Sequence, residues 1–182
     1  VGSNSATYSN NTLANGDDIT CVMTSSLGCV TGSPATSNQI TMTVNPNLPV
    51  SVSIAANNNG ICSGTNVTFT ATPTNGGATP VYQWKRNGVN VGANSATYSS
   101  TTFANGDIIT CVLTSNATCP TGNPATSNQV VMTVNPNLPV SVAISANNNP
   151  ICAGTNVTFT AVPTNGGAAP VYQWKRNGVN VG

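Results

Sequence analysis

The sequence contains no glutamate and no histidine, and only 4% of its 182 residues are charged. The net charge is +1, so the chain lacks the basic patch that nucleic acid or an anionic membrane surface requires. General acid–base catalysis has no candidate residues, since no pair of carboxylates recurs in the chain. We therefore predict that the chain is not an enzyme and has no catalytic residue, no cofactor and no metal site.

Other absences narrow the fold class. No apolar run approaches the roughly 20 residues of a membrane-spanning helix, and no signal peptide is recognisable. Strong helix formers are scarce, whereas strand-favouring threonine and valine are abundant. The hydrophobic fraction of 38% and the near-zero net charge are not those of a disordered chain. The composition predicts an all-β protein whose solubility depends on its 28 Asn and 27 Thr.

The sequence repeats itself with a period of 90 residues. Aligned at that offset without a gap, 73 of 92 residue pairs are identical. The six cysteines form three matched pairs, which are Cys21 with Cys111, Cys29 with Cys119, and Cys62 with Cys152. A period of this length is too long for a solenoid unit and fits a small self-contained β-domain.

The motif Asn-Pro-Asn-Leu-Pro, at 45–49 and 135–139, marks the domain boundaries. Two prolines in five residues make a short, stiff connector. The predicted domains are the C-terminal part of one repeat at 1–45, a complete repeat at 46–134, and the N-terminal part of the next at 135–182. Because the first residue is not Met and both ends fall within the same hairpin, we expect a segment of a longer array.

Within the complete repeat, apolar and polar residues alternate in short runs that predict strands. These strands are 50–54, 67–71, 81–85, 89–91, 96–98, 108–113 and 129–134. Asn87-Gly88 is the strongest hairpin signal, because both central positions of such a turn require positive φ. Six or seven short strands at this spacing predict an antiparallel β-sandwich.

Four motifs in the complete repeat carry a resemblance to a known family. They are Cys-x-Gly-x-x-Val-Thr-Phe-Thr-Ala-x-Pro-Thr-Asn-Gly-Gly from Cys62, Tyr-Gln-Trp-x-x-Asn-Gly from Tyr82, Asn-Gly-Asp-x-x-Thr-Cys from Asn105, and Ala-Thr-Ser-Asn-x-x-x-Met-Thr-Val from Ala125. Along its whole length the chain resembles the tandem Ig-like repeats of large secreted or cell-surface proteins of Bacteroidetes-type bacteria. The resemblance implies an extracellular location, a stalk of an adhesin or surface fibre, and an adhesion ligand that it does not name.

The resemblance also assigns the core. Trp84 takes the place of the strand C tryptophan and Cys111 that of the strand F cysteine, but the usual strand B cysteine is replaced by Ala71. The standard inter-sheet disulfide is therefore missing, and Cys111 and its counterpart Cys21 are predicted to be buried free thiols. The residues expected to fill the core are Phe69, Ala71, Trp84, Tyr98, Phe103 and Ile109.

The remaining cysteines are the disulfide candidates, namely Cys29, Cys62, Cys119 and Cys152. In an Ig-like sandwich Cys62 and Cys119 lie at opposite ends of the domain, whereas a disulfide needs Cα atoms within about 7 Å. The leading hypothesis joins the Cys62-type thiol of one repeat to the Cys119-type thiol of the following repeat. A Cys62–Cys119 bond in a domain with irregular loops, or a Cys111–Cys119 bond, remains the alternative.

Two further candidate sites have simpler interpretations. Lys85 is a candidate for an internal isopeptide bond, but its side chain should face away from Trp84 and be solvated. A calcium site is conceivable at Asp107, and at Asp17 with Asp18, but such a site usually needs several carboxylates. One or two aspartates at a corner more often cap a turn, and this is our prediction.

The near-identity of the repeats extends into their loops, which favours a structural function. We expect an extracellular bacterial fibre or adhesin stalk that provides length and mechanical continuity, with further copies of the repeat as partners, in cis or in a filament. One alternative is an array of identical weak carbohydrate sites acting by avidity, which requires an exposed aromatic patch in every repeat. The other is an accessory region of a secreted enzyme.

Overall fold

The computed structural model describes residues 4–181, which form twenty strands and no helix. The prediction of an all-β chain is therefore confirmed. No helix able to cross a membrane occurs in this described part of the chain. We refer to residues 4–44 as the initial segment, to 48–135 as the central unit and to 140–181 as the final segment.

The strands are short and follow the chain in three groups. The initial segment contains β1 (Asp18–Ile19), β2 (Val22–Met23), β3 (Ala35–Thr36) and β4 (Ile40–Thr41). The central unit contains β5 (Leu48–Pro49), β6 (Ser51–Ala56), β7 (Ile61–Cys62), β8 (Val67–Thr74), β9 (Val81–Arg86), β10 (Val89–Val91), β11 (Thr97–Ser100), β12 (Ile108–Thr114), β13 (Pro120–Thr121), β14 (Ala125–Thr126), β15 (Val130–Val131) and β16 (Val134–Asn135). The final segment contains β17 (Ser141–Ala146), β18 (Phe159–Thr164), β19 (Trp174–Arg176) and β20 (Val179–Val181).

The central unit is built from two antiparallel sheets that enclose one core. The first sheet has the order β11-β8-β6, and the second has the order β10-β9-β12 with both β14 and β15 paired to β12. Cys111 lies opposite Trp84 in the β12–β9 register, and Ile54 lies opposite Ala71 in the β6–β8 register. Both sheets contribute inward-facing residues to a single cluster of buried hydrophobic side chains. This arrangement is consistent with a β-sandwich.

The predicted alternation explains why these segments form strands. Along β8 the buried residues are Val67, Phe69 and Ala71, with more exposed threonines between them, as a strand with one face on a core requires. The β9–β10 hairpin turns at Asn87 and Gly88, whose φ values are 52° and 81°. Positive φ at both central positions is the geometry that an Asn-Gly turn supplies.

An aromatic cluster occupies the centre of the core. Phe69 packs against Trp84 and Phe103 at centroid distances of 6.2 and 5.5 Å, and the half-buried Tyr98 lies 5.9 Å from Trp84. The indole N–H of Trp84 donates to the Ser95 carbonyl oxygen at 2.9 Å, so the buried ring has no unpaired donor. Burying each large apolar side chain stabilises the fold by roughly 1.5–3 kcal/mol.

The prediction of one continuous strand over 129–134 is wrong. The chain forms two separate two-residue strands there, β15 and β16, and a third, β14, precedes the predicted range. Between β14 and β15 the Ser127 hydroxyl accepts from Cys111 N–H. The Asn128 side chain accepts from Ile54 N–H and donates to its carbonyl oxygen. Side chains therefore supply part of the hydrogen bonding between β14 and β15, beside the backbone bond from Ser127 N–H to the Cys111 carbonyl oxygen.

The initial and final segments keep the local strand pairs of the central unit. β17 pairs with β18 from Ser141↔Thr164 onward, the register of β6 with β8 displaced by 90 residues. β1 and β4 repeat the pairing of β12 with β15. The core faces of both segments are nevertheless open: Ile144 is 63% exposed, whereas its counterpart Ile54 is 5% exposed.

Candidate functional site at the two poles of the central unit

The N-terminal pole is the end of the central unit where the chain enters it. β5 runs parallel to β13. Leu48 N–H donates to the Cys119 carbonyl oxygen at 3.0 Å, and Val50 N–H donates to that of Thr121 at 2.9 Å. The Asn75 amide donates to the Pro49 carbonyl oxygen at 2.7 Å. The incoming connector is therefore hydrogen-bonded to the sandwich at the point where the chain enters it.

The C-terminal pole is the end where the chain leaves. β7 runs parallel to β16, and Ser63 N–H donates to the Asn135 carbonyl oxygen at 2.9 Å. In the outgoing connector, the Asn137 amide donates to the Ser63 carbonyl oxygen at 3.1 Å. Both connectors are thus bound by backbone and asparagine hydrogen bonds.

The two poles lie at opposite ends of the central unit. β6 runs from Ser51, beside the N-terminal pole, to Ala56, beside the C-terminal pole, and six residues of strand span about 20 Å. Cys119 lies at the first pole and Cys62 at the second, and both are exposed free thiols. This separation far exceeds the ~7 Å between Cα atoms that a disulfide allows, so these two thiols cannot bond within the central unit as folded.

The other two disulfide candidates, Cys29 and Cys152, are also exposed free thiols. Each lies in a partial repeat, at the position that corresponds to Cys119 or to Cys62. All six cysteines are free, so the proposed pairing stays a prediction. The exposed thiols are accessible to an oxidant.

Cys111 and Cys21 occupy the same position in two repeats but different environments. Cys111 is completely buried, and burial raises the pKa of its thiol to about 11. Cys21, also predicted to be buried, is exposed. That prediction is corrected for a physical reason: the initial segment contains no strand in the position of β9, which covers Cys111 in the central unit.

The predicted core residues lie around Cys111. Trp84, Phe69 and Ile109 have no exposed surface, while Phe103 and Ala71 are almost completely buried. Tyr98 is half-buried, with its ring against Phe69 and Phe103. These aromatic side chains are used for packing in the central unit and do not form an exposed patch there.

An ion pair closes the core at the C-terminal pole. Arg86 Nη2 lies 2.5 Å from Asp107 Oδ2, and the guanidinium lies over the Phe103 ring at 5.4 Å from its centroid. The Asn87 amide and Ala104 N–H also donate to the Asp107 carboxylate, each at 2.7 Å. Burial alone would raise the pKa of Asp107, but these hydrogen bonds and the Arg86 charge outweigh it and lower the pKa.

Asp107 and Asp17 act as turn residues, as predicted, whereas Asp18 lies in β1 and bonds across to β4. Asp107 accepts from Ala104 N–H across a tight turn, and Asp17 does the same for Ala14 N–H at 2.8 Å. Asp18 accepts from the Thr41 hydroxyl, which lowers its pKa. Within residues 4–181 no three side chains among His, Cys, Asp and Glu lie together in a way that could hold a metal ion.

Sequence reasoning missed the Arg86–Asp107 pair and the asparagine bridges. A signal for the ion pair was present, because Asp107 is the only acidic residue of the complete repeat and Arg86 one of its two cations. The asparagine bridges had no such signal. Asn128 reaches Ile54 across 74 positions of the sequence, and 28 asparagines offer no way to select it.

No protein-family model matches this chain, and no curated protein matches it either.

Proposed function

We propose that the chain is part of a tandem array of Ig-like repeats in an extracellular bacterial fibre or adhesin stalk, where it provides length and mechanical continuity. The strand order β11-β8-β6 facing β10-β9-β12 resembles the two sheets of Ig-like sandwiches. The 90-residue repeat and its stiff proline connectors support an array of such units.

The observation that carries the proposal is the position of the connectors at opposite poles. Force applied along the array enters at Leu48 and leaves at Asn135. It pulls β5 along β13 and β16 along β7, which are parallel pairs. Hydrogen bonds across such pairs are loaded together in shear, so that several must break at once before the central unit opens.

Cysteines at the poles support the same function. Cys62 at the C-terminal pole of one repeat pairs with Asn135, just before the connector that leads to the next repeat. The equivalent of Cys119 lies at the N-terminal pole of that next repeat. A disulfide between them would staple the joint. Forming this disulfide removes two protons and two electrons from the two thiols. The disulfide of an oxidoreductase, or dioxygen, accepts them. Peptide mapping of the natively oxidised protein tests this pairing, and a disulfide peptide containing Cys111 would contradict it.

Single-molecule pulling of the chain through its ends tests the mechanical function. We expect one force peak for the central unit with a contour-length gain of about 300 Å, since an extended residue spans about 3.5 Å. Asn75→Gly removes the hydrogen bond to Pro49 while keeping positive φ accessible, and should lower the peak force. Asn165→Gly is the matched control, because Asn165 makes the same bond to Pro139 in the final segment. Extension of the chain without a resolvable peak would contradict a load-bearing function.

A further inference from the structure

One turn of the central unit combines a chemically reactive dipeptide with a side chain that its neighbours hold in place. Asn87 and Gly88 close the β9–β10 hairpin, and both residues are exposed and at positive φ. The Asn87 amide donates to Asp107 Oδ1 at 2.7 Å, and its carbonyl oxygen accepts from Ile108 N–H at 2.9 Å. Both ends of the carboxamide are therefore held by the chain at the start of β12.

Asparagine followed by glycine is prone to deamidation, because glycine has no side chain to obstruct the reaction. The Gly88 nitrogen attacks Asn87 Cγ, the Cγ–Nδ2 bond breaks, and ammonia leaves with the proton of the Gly88 N–H. Water then opens the resulting succinimide at either of its two C–N bonds, which gives aspartate or isoaspartate. Each conversion consumes one water and releases one ammonia, so no other reactant is needed.

In this hairpin the nucleophile is accessible and the electrophile is held. Nothing lies within 4 Å of the place where a Cβ of Gly88 would stand, so solvent reaches this turn. Asn87 Cγ can approach the Gly88 nitrogen only if the carboxamide rotates away from Asp107 and Ile108. The fold therefore controls the reaction by holding the carboxamide and not by excluding water.

We propose that Asn87 is a modification site, which the folded central unit protects and which deamidates once the unit opens. The inference rests on the proposed function, because load along the array is what opens the unit. Separation of β9 from β12, which are paired from Ile109↔Arg86 onward, releases the carboxamide from Asp107. A repeat that has been opened for long enough is then marked chemically at this turn.

Deamidation reverses the interaction at this end of the core. The amide that donates to Asp107 becomes a carboxylate at the same place, 2.7 Å from Asp107 Oδ1. Arg86, the ion-pair partner of Asp107, then faces two negative charges instead of one, at a site where Asp107 is only 6% exposed. Two carboxylates this close disfavour each other's ionisation. A marked repeat should therefore refold with lower stability than an unmarked one.

The other three Asn-Gly pairs of the central unit, at 59–60, 75–76 and 105–106, are protected differently. The Gly60 and Gly106 N–H groups donate to backbone carbonyl oxygens at 3.1 and 2.8 Å, and Gly76 is buried. Their glycine nitrogens are thus engaged or buried independently of Asp107. These pairs separate local release of the Asn87 carboxamide from unfolding of the whole unit, because only unfolding exposes all of them.

Peptide mapping by mass spectrometry of the folded 182-residue chain at pH 8 measures the deamidation rate at each pair. Asn177-Gly178 is the matched reference, since it has the same turn geometry, with φ values of 53° and 81°. In the described residues β19 pairs with β20 alone, so that no strand equivalent to β12 holds Asn177. We expect Asn87 to react at least about tenfold more slowly, because its reactive rotamer requires a hydrogen bond to a charged group to break. In urea the two rates should become equal, whereas equal rates in the folded chain would overturn the proposal.

Asp107→Ala tests the control of the reaction directly. Loss of the acceptor should raise the Asn87 rate toward that of Asn177 and leave the pairs at 59–60 and 105–106 slow. Asp17→Ala, the corresponding change in the initial segment, should alter none of these rates. Equal acceleration at every pair, or no acceleration at Asn87, would contradict the assignment of the protection to Asp107.

Asn87→Asp reproduces the aspartate product and tests its consequence. The urea midpoint of the central unit should be lower than in Asn90→Asp, which adds the same charge at an exposed position of the same hairpin. Equal midpoints in the two variants would refute the predicted effect of the mark on refolding. The force peak of the unmodified chain tests the proposed function separately, since its absence would leave the measured protection of Asn87 unchanged.

Discussion

The central unit and the final segment have nearly the same sequence over the residues they share but very different cores. Both form the Asn-Gly hairpin, at Asn87 and at Asn177, with φ values of 52° and 53°. Both also pair their first long strands in the same register. Yet Phe69 is fully buried and Phe159 is half exposed. Hairpins and register thus depend on local sequence, whereas burial depends on strands that are distant in the chain.

The same comparison holds for the initial segment. Leu113 has no exposed surface, while its counterpart Met23 is 62% exposed. Hydrogen-bonded turns and two short strand pairs persist there without a core. Matched substitutions at equivalent positions therefore separate the contribution of burial from that of local structure.

The largest difference is expected at the tryptophans. Trp84→Ala should destabilise the central unit by about 3–5 kcal/mol, the usual range for removing a large buried aromatic side chain. Trp174→Ala should leave the central unit unchanged, since the Trp174 ring packs against Phe159 of its own segment. Urea denaturation followed by circular dichroism, at concentrations where the chain is monomeric, measures both. Equal losses of unfolding free energy in the two variants would contradict the expectation that burial determines the contribution of each tryptophan.

The sequence predicted the parts of the fold that are encoded locally. The strands containing Phe69, Trp84 and Cys111 were located by alternation, and each extends by one to three residues beyond its predicted end. Those extensions arise from pairing between strands, such as Thr74 with Ser51. A local pattern does not contain that information.

The candidate site was less predictable than the fold. The opposite locations of Cys62 and Cys119 followed from strand order. The parallel pairs that fix the connectors did not, because prolines and isolated two-residue strands carry no alternation. Repeat matching gives Cys21 the position of Cys111, but Cys21 is exposed because burial requires a strand that the initial segment does not itself provide.

A smaller difference is expected at the aspartates. Asp107→Ala should cost about 2–3 kcal/mol, because it leaves Arg86 without its partner and Ala104 N–H without an acceptor in a nearly buried site. Asp17→Ala should change the unfolding of the central unit by less than about 0.5 kcal/mol, as is usual for surface positions. Thermal and urea unfolding curves for both variants measure the difference. A similar loss in both would contradict the assignment of this stabilisation to the buried ion pair.

Asp107 also sets the pH dependence of the stability of the central unit. Its pKa in the folded state is lowered, whereas the unfolded value is about 3.9. The stabilisation is therefore fully present above pH ~4 and is lost as the pH falls through the folded value. The free energy of unfolding should be level from pH 5 to 8 and should decrease in acid. The decrease should be smaller in Asp107→Asn, and an unchanged acid profile would contradict this assignment.

The smallest effect on stability is expected at two serines that make identical hydrogen bonds but differ in burial. Ser127 accepts from Cys111 N–H at 2.9 Å and donates to the Asn128 carbonyl oxygen at 2.7 Å. Ser37 repeats both bonds, with Cys21 and Asn38, at the same distances. Ser127 is buried and Ser37 exposed.

Ser127→Ala should cost about 1–2 kcal/mol, because a buried N–H loses its acceptor and water cannot replace it. Ser37→Ala should cost almost nothing in the same unfolding measurement, and hydrogen exchange of the Cys21 amide should accelerate only modestly, since water can replace the lost hydroxyl. If the two substitutions had equal effects, the bonds themselves would stabilise the repeat wherever they occur. If the effects differ as expected, the same bond contributes to stability only once the opposite half of the sandwich has excluded water from it.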